Sequence, residues 1–498
     1  MNVNPITRLD YPDPDVIRVE DTYYMVSTTM HFMPGCEILQ SFDLVHWEHV
    51  TYVYETLDHT DAQQLKSGQN IYGQGMWAAS LRYHEGRFCI CFVANDTRKT
   101  YLYTSEKIDG PWKKQLIEGF YHDGSLLFDE DGRNYIVYGN DEIWITELNE
   151  DLTAPKKDGL HRLLVSDHKN PELGYEGSHI QKINGYYYIF LVHSLRDRWM
   201  RTEACFYSDS LEGEFTGGDV LCDDRGYCGQ GVAQGGIVDT PDGKWYAMLF
   251  QDSGAVGRIP ILLPVTWKDH FPFFGQNGHV PEEIEVHSTR PGYIYQPLVG
   301  SDDFCNGLLP RWQFNHDPDP RYYHLDALQG TYTITTREVC TELTQAVNTL
   351  TQRMSYPSCA AEVTVDASAL KEGDVAGLCA LQGCYAAVGI TKHHGKYEVL
   401  MLDKKEDGIL DMTEGTVVES HQMDFRLEAD FCNMKDEARC YYRVNKGDWL
   451  PIGTVHKLYF KLDHFTGCRF GLFCYAAEET GGSACFRDFK YYDVDEIS

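Results

Sequence analysis

Five stretches of the first 290 residues, at 16–28, 80–93, 125–139, 179–192 and 236–250, share one pattern of hydrophobic and polar positions: a β-rich run, a tight turn, and a second run opening with aromatics. The turns are Glu20-Asp21-Thr22, His84-Glu85-Gly86, Asp131-Gly132, Asn184-Gly185 and Asp242-Gly243. This is hairpin chemistry, because Gly, Asn and Asp tolerate positive φ. A third β-like run with its own turn follows, often with a Trp, as at 38–47, at 101–105 leading to Pro111-Trp112, and at 204–209. A unit of three or four antiparallel strands thus recurs about every 46 to 65 residues, which is the size of a propeller blade. No i, i+3, i+4, i+7 apolar spacing is sustained over four turns in this region, so the chain is expected to be all-β. A sandwich would also give many short strands, but not five copies of one unit. The expectation is a five-bladed β-propeller over residues 1–295.

Nine residues ahead of the turn position in each copy stand Asp13, Trp77, Asp123, Glu176 and Gln234. In a propeller the strand leading into each hairpin runs along the central channel, so these five positions should converge on the axis. An Asp beside Pro or Gly is ordinarily a turn or cap residue. Carboxylates at a matched offset in three blades are poorly explained that way. Three clustered carboxylates, with no Lys or His read between them, suit hydrolysis of a glycosidic bond. One carboxylic acid protonates the leaving oxygen while a carboxylate activates water on the opposite face. A third charge keeps the acid protonated near neutrality, because like charges raise a neighbour's pKa.

At these residues the chain resembles glycoside hydrolase family 43, the β-xylosidases and α-L-arabinofuranosidases. The likeness is carried by Tyr11-Pro12-Asp13-Pro14 ahead of Val16-Ile17-Arg18, by His122-Asp123-Gly124-Ser125, and by Tyr175-Glu176-Gly177-Ser178-His179. The resemblance implies inversion at the anomeric carbon, with Asp13 as general base, Glu176 as general acid and Asp123 tuning and orienting that acid. It also implies roughly 6.5 to 9.5 Å between the Asp13 and Glu176 carboxyls. By the same resemblance Arg258 binds sugar hydroxyls beside Asp123, and Trp77 and Phe32 stack on the sugar as pocket walls. Many family members carry His where Gln234 stands. An axial amide or water, and no cofactor or metal for catalysis, is therefore expected.

From about residue 300 the fivefold hairpin stops, and alternating strands run on to Tyr492. Runs such as 360–365, 469–473 and 486–489 resemble the concanavalin-like β-sandwich that many family members carry, expected here over residues 300–498. In such sandwiches an early and a late Asp often hold a structural Ca²⁺, which here would use Asp302 or Asp303 with Asp488. A loop of this domain is expected to close one side of the pocket and favour removal of terminal units.

Length and composition agree with two or three folded domains: 498 residues, 43% hydrophobic and 13% aromatic. A net charge of −32, from 75 acidic against 43 basic residues, disfavours a nucleic-acid partner. No run of about 18 apolar residues occurs, so no membrane span is expected. With no basic or apolar leader ahead of residue 11, and 16 Cys set mostly in strand-like runs, reduced thiols and a cytoplasmic setting are expected. The partner is a small oligosaccharide, and a homo-oligomer is compatible with the sequence. The sequence leaves two alternatives beside an exo-acting hydrolase: a non-catalytic sugar-binding propeller, and an endo-arabinanase with an open groove.

Overall fold

The structure is a computed structural model that describes residues 2–493; residues 1 and 494–498, the outer ends of the two expected domains, lie outside them. Five four-stranded antiparallel sheets follow one another along the chain. Their innermost strands are Asp15–Val19, Met76–His84, Ser125–Phe128, Glu176–Ile183 and Val232–Asp239. The hairpin turns fall at the expected Gly, Asn and Asp residues, with φ of 78° at Gly86, 83° at Gly132, 51° at Asn184 and 80° at Gly243. The fourth, outermost strands, such as Lys113–Ile117 and Thr216–Leu221, are short and largely exposed. They bury too little apolar surface to leave a hydrophobic signature, so the hairpin pattern shows three runs where the blade has four.

Each blade buries its apolar face against the next. Val26 and Ile38 meet Leu81 and Ile90 between the first two blades, and Cys91 and Leu102 meet Ile136 between the second and third. Val137 and Ile145 meet Ile189, Phe190 meets Leu249, and Met248 and Leu262 return to Met25 and Leu39. Among the described residues no strand is exchanged between the first and last blades. The ring closes instead through Asn2–Val3 pairing with Glu283–Ile284. The Asn4 side chain adds a clasp, donating to Leu262 O at 2.8 Å and Pro281 O at 3.0 Å, while its Oδ1 accepts from Leu262 N at 3.1 Å.

The second domain packs a nine-stranded sheet on a seven-stranded one, around a core that includes Leu378, Phe425, Phe470 and Phe486. One strand of the larger sheet comes from the propeller: Phe32–Met33 pairs with Gln313–Asn315, Met33 opposite Phe314. The interface is also polar. Arg353 makes a 2.9 Å ion pair with Glu37. Asp10, buried, accepts from the propeller amide of Arg258 at 2.7 Å and the sandwich amide of Gly467 at 2.8 Å.

Candidate active site

The five equivalent positions all sit where regular strand geometry breaks. Asp13 and Asp123 lie two residues ahead of their inner strands with φ of 52° and 47°, values uncommon for a residue with a Cβ. In the other three blades the inner ladder slips: between Met76 and Ala79, between Glu176 and His179, and between Ala233 and Gly236. Such bulges re-aim side chains, here those of Trp77, Glu176 and Gln234. Gly177 is required beside them, because at its φ of 67° a Cβ would lie 2.7 Å from Gln234 Cγ.

Asp13, Asp123, Glu176, Trp77, Gln234 and Arg258 line one inner cavity of about 40 Å³. Trp77, Glu176, His122, Arg201 and Phe465 also line an adjoining outer cavity of about 500 Å³. Asp13 Oδ2 accepts from Thr28 Oγ1 at 2.5 Å, and its Oδ1 accepts from Arg258 Nη1 at 2.8 Å. Arg258 therefore sits in the same cavity lining as Asp123, as expected, and makes its ion pair with Asp13. It is buried between Phe250 and Phe465, and its Nε and Nη2 have no partner among the described residues, which leaves donors for a ligand's hydroxyls.

Asp123 Oδ2 accepts from the amide of Gly177, next to Glu176, at 2.9 Å. Burial, with Glu176 and Asp13 adding to it and His122 opposing, raises the Asp123 carboxyl to about 6. Glu176 Oε2 accepts from Asn140 Nδ2 at 2.8 Å. Sequence reasoning saw no His among the carboxylates, yet His122 Nε2 lies 3.6 Å from Asp123 and 3.5 Å from Glu176. Glu203 was also missed. It accepts the Gln234 amide at 2.7 Å from a fully buried position, and burial holds its carboxyl well above the usual range.

Just beneath these residues the channel is plugged. Asp15 accepts from Arg82 Nη1 at 2.8 Å and sits 3.1 Å from His179 Nδ1, while Arg82 Nη2 donates to Ser125 Oγ at 2.7 Å. A separate cavity of about 410 Å³ opens at the far end of the channel. Its cations are already matched, Arg18 by Asp239 and Lys182 by Asp129.

One expectation is corrected. Phe32 lines neither cavity: it is fully buried in the strand shared with the sandwich, with the Arg469 guanidinium 3.5 Å from its ring centre. The wall comes instead from Phe465, 5.4 Å from the Trp77 ring, and from Met434, Phe460 and Leu462, all in the second domain. Of the expected Ca²⁺ ligands Asp302, Asp303 and Asp488, the first two accept hydrogen bonds from the sandwich. Asp302 uses its two oxygens on the Phe304 amide and the Trp312 indole, and Asp303 accepts from the Cys305 amide. Among the described residues, three acidic, His or Cys donors gather within 4.8 Å only at His122, Asp123 and Glu176.

Residues 3–272 match the model of the glycosyl hydrolases family 43, and residues 301–492 that of the beta xylosidase C-terminal concanavalin A-like domain. The chain belongs to glycosyl hydrolase family 43. This family 43 enzyme is 26% identical to a beta-xylosidase of Formosa agariphila, over 99% of this chain and 89% of that one. It is 25% identical to a non-reducing end alpha-L-arabinofuranosidase of Bacteroides ovatus, over 66% of this chain and 63% of that one. A solved bifunctional GH43-CE protein of Bacteroides eggerthii superposes with a TM-score of 0.92 at 41% identity, over all of this chain. The chain spans 64% of that protein's length.

Proposed function

We propose that this glycoside hydrolase releases single terminal β-D-xylose or α-L-arabinofuranose units from short oligosaccharides, with inversion. The reading is carried by Asp13 and Glu176 facing one small cavity whose outer wall is supplied by the sandwich. Asp13, held by Arg258 and Thr28, takes a proton from the attacking water. Glu176 gives its proton to the leaving oxygen on the other face of the sugar. Asp123 fixes the backbone beside Glu176, and burial with the neighbouring carboxylates raises its carboxyl above the usual range. The free donors of Arg258 meet ring hydroxyls, Trp77 offers a stacking face, and the outer cavity takes the leaving group.

The blocking side chains at Phe460, Leu462 and Phe465 favour chain ends over internal linkages. Relatives named for both sugars agree with a site that takes either. Many of the 16 cysteines, Cys91 and Cys474 among them, are buried as small hydrophobes, and the proposed setting is the reducing cytoplasm. The test is a paired assay with 4-nitrophenyl β-D-xylopyranoside and 4-nitrophenyl α-L-arabinofuranoside on wild type and Glu176→Ala. Early ¹H NMR of the released sugar follows its anomeric form. Product of retained configuration, or long internal fragments released first from polymeric xylan, would overturn the proposal.

A further inference from the structure

His122 has no place in the two-carboxylate scheme, yet it lines both cavities and stands between two of the three acidic groups. Its carbonyl is fixed by the Gly139 amide at 3.0 Å, and its ring packs edge-on against Trp77 with centroids 5.9 Å apart. Nε2 is buried and has no hydrogen-bond partner among the described residues, although Glu176 Oε2 is 3.5 Å away and Asp123 Oδ2 is 3.6 Å away. Those gaps are too long for hydrogen bonds and short enough for strong electrostatic coupling. The charged groups around it are the carboxylates of Asp13, Asp123 and Glu176 and the guanidiniums of Arg201 and Arg258. Both guanidiniums are already committed, Arg201 to Asp252 and Arg258 to Asp13, each at 2.8 Å. The pair Asp123 and Glu176 therefore has His122 as its nearest cation.

We propose that His122 is a positioning residue for the acid: as an imidazolium between Asp123 and Glu176, it stabilises the Glu176 carboxylate formed when the leaving oxygen is protonated, and so sets the upper pH limit of activity. The inference rests on the reading of Glu176 as the acid. Burial opposes a charged ring here, but the Asp123 and Glu176 carboxylates outweigh it and lift the imidazole to about 9. As Glu176 loses its proton, a small movement of Nε2 gives a charge-assisted hydrogen bond. That bond is stronger after proton transfer than before it, which is the condition for lowering a barrier. A neighbouring cation favours the charged form of a carboxyl, so the alkaline limb of activity reports on the charge of His122.

The test compares His122→Asn and His122→Phe with wild type in pH profiles of kcat/KM, using xylobiose or an arabinofuranosyl disaccharide alongside the 4-nitrophenyl glycoside. Loss of the cation should move the alkaline limb up by about one to three pH units. It should also lower kcat at least about tenfold on the disaccharide, whose leaving group needs the proton, and much less on the nitrophenyl substrate. Equal losses on both substrates with an unmoved limb would mean a structural role only and would overturn the proposal. If both variants are inactive or unfolded, NMR titration of His122 in wild type decides: an imidazole still protonated above about pH 8 supports the proposal, and one titrating at or below about 6.5 refutes it. Should Glu176→Ala keep its activity, the hydrolytic reading itself falls. Should Glu176→Ala be inactive while the His122 variants keep the wild-type limb, only this inference falls.

Discussion

Replacing Asp10 tests the mechanical link between the two domains and the active site. Its carboxylate is the shared acceptor for two buried amides, Arg258 N at 2.7 Å and Gly467 N at 2.8 Å. It also abuts Gly257, where an added Cβ would lie 2.3 Å from Asp10 Oδ1. In Asp10→Ala both amides lose their acceptor. At about 1–3 kcal/mol per buried donor left unsatisfied, the variant should lose about 2–6 kcal/mol. Asp10→Asn keeps one carbonyl acceptor and turns an NH₂ toward the other amide, so roughly half that loss is expected. The same amides belong to Arg258, which holds Asp13, and to the segment that carries Phe465. A shift of about 1 Å in such a group costs about 100-fold in rate, so kcat/KM should fall between tenfold and 100-fold in either variant. Calorimetry at several scan rates, with kcat/KM on both nitrophenyl glycosides, reads the two effects. Asp10→Asn with the unfolding profile and kcat/KM of wild type would refute the clamp.

Glu176→Ala should lose about 10²- to 10⁴-fold on xylobiose and less on the nitrophenyl glycoside, whereas Asp13→Ala should lose activity on both alike; comparing kcat for the two substrates separates acid from base. The His122 imidazole, raised from 6.5 to about 9 in the folded chain, contributes stability that is complete below pH 6.5 and lost as pH rises to 9. The loss is at most about 3 kcal/mol. The thermal midpoint of wild type should fall across that window, and His122→Phe should flatten the slope. Phe465→Ala removes the ring 4.5 Å from the Arg258 guanidinium and 5.4 Å from Trp77. KM should rise about three- to 30-fold with a smaller change in kcat. Phe32→Leu should lower the thermal midpoint while leaving KM unchanged, since that ring lies behind the wall.

What could be read from the chain was local. Turn residues fix the hairpins, and a constant offset from those turns picks out Asp13, Asp123 and Glu176, because the blade repeat carries register with it. What escaped depends on contacts distant in sequence. Phe32 sits among residues that suit a pocket wall, but its partner strand at Gln313–Asn315 belongs to the other domain, and no periodicity reports such a pairing. Phe465 and Met434 reach the cavity from loops whose placement follows from domain docking. Arg258 was recognised, but whether it faces Asp13 or Asp123 depends on a side-chain path that spacing does not encode. His122 adjoins a residue already singled out. Its neighbour, not His122 itself, fills the repeated position, and an imidazole has no place in the carboxylate chemistry to which the repeat points.

The loan of Phe32–Met33 to the larger sandwich sheet bears on how the polypeptide is assembled during synthesis. The ribosome delivers Phe32–Met33 some 280 residues before Gln313–Asn315 emerges, and domains generally mature in that order. A nascent propeller therefore presents an unsatisfied backbone edge that the later sheet completes. Gene truncation after the fifth blade would leave that edge bare, open to pairing with other chains.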